Sequence, residues 1–223
     1  MRNLLWAFIF GSIGIAKGQN LQLSAGTSHT SIDWRYVYPN GLEENFFTSP
    51  IVGTSMNIGL EYFERNKMSL SSNLGLFQSG GKISPEENHP NFKIEEATNN
   101  ANNLSLGTQF NYLPINNRLQ LILSAGPRLD YLLPRPKSAM DMQKENIRRL
   151  HVGITGSLGL FYQFENLKIG VRSSYLHRLN EIINREPTNT NNWWENQSLG
   201  VKAKDQFIVT NELIIGISLG DKN

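Results

Sequence analysis

Between residues 103 and 131 apolar and polar positions alternate with a period of two. Leu104, Leu106, Thr108, Phe110 and Tyr112 are interleaved with Ser105, Gly107, Gln109 and Asn111. After Leu113-Pro114-Ile115-Asn116-Asn117, the series Leu119, Leu121, Leu123, Ala125, Leu129, Tyr131 is interleaved with Gln120, Ser124, Gly126, Arg128 and Asp130. Two alternating runs joined by a Pro/Asn turn predict a β-hairpin. The polar face is unusual. It holds Gly, Ser, Gln and Asn with few charges, as inside a narrow barrel, whereas a soluble sheet turns Lys, Glu and Thr to water. The apolar face ends in Phe110, Tyr112 and Tyr131, the pattern of an aromatic belt at a membrane interface.

The same pattern recurs along the chain. Leu21, Leu23 and Ala25 mark a first strand. Met56, Ile58, Leu60 and Tyr62 mark a second, and Met68, Leu70, Leu74 and Leu76 a third. The hairpin supplies the fourth and fifth. Val152, Ile154, Leu158, Leu160, Tyr162 and Phe164 give a sixth. Leu167, Ile169, Val171 and Tyr175 give a seventh, and Val209, Leu213, Ile215 and Ile217 an eighth. Short turns at 65–67, 113–117 and 165–166 alternate with long loops at 32–50, 80–102, 133–149 and 180–204, the third with a short helix expected over 137–149. An even number of strands of about ten residues, with short turns at one end and long loops at the other, predicts an all-β, eight-stranded, up-and-down antiparallel transmembrane barrel. Odd positions of strands one, five, seven and eight, and even positions of the others, are expected to face lipid.

The start of the chain fits export. Residues 1–18 carry Arg2, an apolar run over 4–15 and Ala16-Lys17-Gly18, which reads as a signal peptide. That leaves residues 19–223 as one barrel domain in the outer membrane. Cleavage would take two cations from a formal charge of +2, leaving a neutral chain with no electrostatic footprint for nucleic acid. The absence of cysteine excludes disulfides and thiolate chemistry.

Chemistry is sparse. An eight-stranded barrel is filled by its own side chains, so Glu61, Arg128, Asp130, Lys168, Arg172 and Glu212 are expected to pair as a polar network in the lumen. Leaving one of them unpaired would cost several kcal/mol. His29, His151 and His177 lie toward the loop ends of their strands, with His29 and His177 facing out and His151 in. They do not converge with a serine and an acid as a hydrolytic triad requires. Glu86, Glu87, Glu95 and Glu96 lack the fixed spacing of a metal site. No cofactor or metal is expected. The loop aromatics Trp34, Phe46, Phe47, Trp193 and Trp194 are candidate partner contacts, since large aromatics in a wet loop point to a covered surface.

Two stretches resemble the PorT-like outer-membrane barrels of Bacteroidetes-type bacteria. Residues 123–133, Leu-Ser-Ala-Gly-Pro-Arg-Leu-Asp-Tyr-Leu-Leu, are similar to that family's AGP strand. Residues 170–182, from Gly170-Val171-Arg172 to Asn180-Glu181-Ile182, are similar to its RYS-x-GL-x-x-I strand. The chain departs from the usual pattern of such barrels by ending without a terminal aromatic. The resemblance implies an outer-membrane barrel and no single activity. The residues themselves favour a non-enzymatic structural or interaction subunit, and the resemblance points to a secretion or transport complex as its assembly. Its partners would be outer-membrane lipid and a protein in the same membrane. A lipid-modifying enzyme and a soluble exported ligand-binding barrel are the alternatives.

Overall fold

A computed structural model describes residues 20–38, 41–45, 49–65, 67–82, 98–133, 148–185 and 200–219. Eight long strands make the wall. They are β1 (Asn20–Val37), β3 (Ile51–Arg65), β4 (Met68–Lys82), β5 (Thr98–Asn116), β6 (Leu119–Leu132), β7 (Leu150–Phe164), β8 (Leu167–Arg178) and β10 (Gly200–Ser218). Each pairs antiparallel with its neighbours, and β1 closes on β10 from Asn20 opposite Ser218 to Val37 opposite Gly200. Closure leaves no unpaired edge, a requirement for a sheet in hydrocarbon. Two three-residue strands, β2 (Glu43–Asn45) on β1 and β9 (Ile183–Arg185) on β10, extend this pair.

The strands run further than their apolar alternation predicts. Residues 32–37 continue β1 and residues 200–204 begin β10, although both stretches read as loop. The apolar face is needed only where lipid touches the wall. Beyond it, ladder hydrogen bonds continue between polar residues, so hydropathy marks the membrane band and not the strand end. The helix expected over 137–149 falls almost entirely outside the described residues, as does the signal segment.

The faces alternate as the period requires. Leu158, Leu213 and Val171 are 52, 55 and 57% exposed on the outer wall. In the same strands Thr155, Glu212 and Lys168 are buried in the lumen. Aromatics collect outside at the short-turn end. A bulge after Tyr62, with Phe63 at φ 53°, puts both rings on the outer face in edge contact at 5.4 Å. Tyr162 and Phe164 lie 4.6 Å apart on the next wall segment but two hairpins along.

The interior is not uniformly polar. Leu113, Ile122, Phe161 and Ile214 form an apolar floor, and Phe77, Leu176 and Ile208 form a second cluster. Inward glycines make room for these rings. A Cβ at Gly170 would strike the ring of Phe161 and the Leu160 carbonyl. At Gly126 the obstacle is the Thr108 carbonyl of the neighbouring strand. Pro127 follows and cannot donate to a ladder, and β6 keeps its pairing to β7 there, with Pro127 opposite Ile154.

Candidate functional site

The charged interior is stacked in layers. In the first, the Glu61 carboxylate of β3 accepts hydrogen bonds from Gln22 (2.9 Å), Ser69 (2.6 Å) and the Lys168 ammonium (3.2 Å). Lys168 reaches it from β8, across the barrel, with its Nζ 4.8 Å from the centre of the Phe161 ring. In the second layer, Glu212 of β10 faces Arg172 of β8 across the ladder. It accepts from Arg172 Nη2 at 3.0 Å, Ser24 at 3.1 Å and Ser55 at 2.5 Å, and from Asn57. Both carboxylates keep one cation and several neutral donors, the arrangement that offsets the loss of their water.

The third layer is built on Arg178. Its Nε donates to Asp130 at 3.3 Å, Nη1 to Asp205 at 2.8 Å and Nη2 to Asn103 at 2.8 Å. One guanidinium thus ties β8 to β6, β10 and β5. Arg128 completes the layer, donating to Asp130 at 2.7 Å with its guanidinium 4.6 Å above the Phe77 ring. His151 is buried beside Asp130 in the β6–β7 ladder. Four acids and four bases are therefore ion-paired through the three layers. Two small cavities flank Arg172, each large enough for one water.

Sequence reasoning missed Arg178 and Asp205. Arg178 lies on the inward parity of β8, three residues past the last apolar position used to define that strand. Asp205 has the outward parity of β10. A register shift, in which Ser31 pairs with Phe207 but Ile32 with Asp205, passes over Gln206 and turns Asp205 inward. Strict alternation cannot locate such a residue.

Above the barrel, Arg35 donates to Asp33 (2.7 Å) and to Glu43 (3.0 Å), and Lys202 donates to Glu43 at 3.2 Å. The Arg35 and Lys202 hydrogen bonds hold the Glu43 carboxyl below its ordinary value. The loop candidates are distributed differently from the sequence expectation. Trp34 is in β1, its backbone opposite Ala203, and not in a loop. Phe46, Phe47, Trp193 and Trp194 lie outside the described residues, as do Glu86, Glu87, Glu95 and Glu96. His29 and His177 face outward. His29 Nε2 lies 3.3 Å from Thr27 Oγ1, and no carboxylate bonds to this histidine among the described residues.

A closed antiparallel wall, apolar outside and ion-paired inside, is the architecture of an outer-membrane β-barrel. A soluble ligand-binding barrel would carry the opposite polarity, with an apolar pocket and a wet exterior. No protein-family profile and no curated protein matches the chain. Similar solved structures include Neisserial surface protein A, at 12% identity and TM-score 0.45, covering 89% of this chain and 97% of that one. The N-terminal β-barrel domain of Pseudomonas aeruginosa OprF matches at 14% identity and TM-score 0.44, covering 91% and 100%. The outer membrane enzyme PagL matches at 11% identity and TM-score 0.33, covering 88% and 98%. At these identities and scores the similarities carry no argument about activity.

Proposed function

We propose that this chain is a non-enzymatic outer-membrane barrel that serves as an interaction subunit of a larger outer-membrane assembly. A secretion or transport complex is the assembly that fits. The observation that carries the reading is the filled lumen. Three ion-paired layers and the apolar cluster around Phe161 fill the described lumen, and the two cavities beside Arg172 each take a single water, which moves function to the loops and the outer wall. Loops on a rigid scaffold are the usual site of binding residues.

A gentle-detergent pull-down tests this. Wild-type protein should co-purify with a stoichiometric membrane partner. The double variant Trp193→Ala, Trp194→Ala should keep heat-modifiable gel mobility and lose most of that partner. Recovery of the barrel without any partner from native membranes would refute the reading. A lipid-modifying enzyme remains the competing proposal because Thr27 and His29 place a hydroxyl beside an imidazole on the wall. It predicts an altered lipid A mass when the chain is deleted, restored by wild type but not by His29→Ala.

A further inference from the structure

One rung of the outer wall breaks its apolar character. Thr27 of β1 pairs with Thr54 of β3 on one side and with Asn211 of β10 on the other, and Asn211 pairs with Ser173 of β8. All four side chains are exposed and face outward, so four adjacent strands present a continuous polar row. The row is inside the apolar band and not at its edge. Met56, Ala25, Leu213 and Val171 line the outward rung toward the short-turn end. Val52, His29, Val209 and Tyr175 line the rung toward the loop end, and Val52 is 66% exposed.

Elsewhere on this wall outward hydroxyls satisfy each other. Tyr62 Oη, Ser72 Oγ and Thr108 Oγ1 form a chain at 2.9 and 3.2 Å. In the four-strand row only Thr27 has a partner, His29. The side chains of Thr54, Asn211 and Ser173 make no hydrogen bond among the described residues. Hydrocarbon offers them none. Polar side chains on a lipid-facing surface are a recurrent means of joining membrane segments.

We propose that this face binds a second copy of the chain, an inference that rests on the reading of the barrel as an interaction subunit and names its partner on the wall. The row is neutral, and Thr, Asn and Ser each donate and accept, so it is complementary to itself and needs no charged partner. A two-fold axis along the membrane normal is isologous, setting each residue of the face against the same face. Strands tilt by roughly 40° in such barrels, so the two rows slope oppositely and cross. Placing the crossing at the β1–β10 seam brings together Thr27 and Asn211 of both copies, four hydrogen-bonding side chains with apolar rungs above and below.

The chain has no cysteine, so single cysteines report cleanly. In native outer membranes, Asn211→Cys treated with a short bismaleimide should give a band at twice the monomer mass. Leu106→Cys, outward on the far wall, should not. The triple variant Thr27→Val, Asn211→Leu, Ser173→Ala should keep heat-modifiable mobility and elute from mild detergent at monomer mass where wild type elutes as a dimer. Equal cross-linking at both positions, no cross-linking at Asn211, or cross-linking of Asn211→Cys only to a different protein would overturn the proposal. Failure here is separable from failure of the functional reading. A monomeric barrel that still co-purifies with a heterologous partner refutes only the dimer, and a dimer without such a partner refutes only the assembly subunit.

Discussion

Glu61 and Lys168 show what the interior demands of a single residue. Both are almost fully buried, and each supplies the other's counter-charge at 3.2 Å. Removing one partner strands the other, at a cost of about 3–5 kcal/mol, whereas replacing both with apolar groups of similar volume is close to neutral. Lys168→Met should therefore destabilise the folded barrel by that amount in denaturant titrations from liposomes. Adding Glu61→Leu should recover most of the loss, despite the hydrogen bonds Gln22 and Ser69 then forgo. A double variant no better than Lys168→Met would mean the pair is not coupled. Glu43 is the opposite case, an exposed carboxylate outside the membrane. Its carboxyl is held below 4.5 chiefly by Arg35, then by Lys202. A depressed carboxylate stabilises the fold above its unfolded value, and that contribution fades as pH falls below 4.5 through the folded value. Hydrogen exchange in β2 and the facing end of β1 should therefore be slower in wild type than in Glu43→Gln at neutral pH, with the two proteins converging as pH falls well below 4.5. Solvent screening keeps the effect small.

Strands were the easiest elements to read, for a physical reason. A wall between lipid and a packed polar lumen enforces a period of two on every residue it contains, so parity alone places Leu158, Leu213 and Val171 outside and Glu61, Lys168 and Glu212 inside. An arginine on the lipid side of such a wall costs about 2–4 kcal/mol at mid-bilayer. Leu158→Arg should fold with that penalty when folding yield in vesicles is measured against denaturant, and wild-type stability would mean Leu158 is not in the membrane. What parity cannot see lies beyond the membrane band or behind a bulge. The ends of β1 and β10 lost their apolar signal once lipid no longer touched them, which hid the Arg35–Glu43–Lys202 cluster. The bulge near Gln206 hid Asp205, and with it the role of Arg178 as the residue joining four strands. Apolar interior residues were hidden as well, because Phe161 fits inward only where Gly159 and Gly170 omit a Cβ. Gly170→Ala should displace that ring at a cost of about 1–3 kcal/mol, the usual penalty of overpacking.

At the scale of the whole molecule, two different kinds of physics close the lumen. Toward the short-turn end the cluster of Leu113, Ile122, Phe161 and Ile214 offers ions no ligands, and the Glu61–Lys168 pair sits against its Phe161 ring. Toward the loop end the Arg178 layer fills the cross-section with paired charges that hold each other in place. Either barrier alone stops conduction, since an ion that passes one still meets the other. Wild type reconstituted in planar bilayers should therefore show no steady current. Arg178→Ala should destabilise the barrel, because Asp205 and Asp130 lose their shared cation, and yet remain non-conducting behind the intact floor. Phe161→Ala with Ile122→Ala should open the floor and remain closed at the charged layer. The combination should still carry no steady current, because the Glu61–Lys168 and Glu212–Arg172 pairs remain across the lumen. Steady conductance in Arg178→Ala alone would show that the apolar floor is no barrier, and conductance in the combined variant would show that the two remaining ion pairs do not block the lumen.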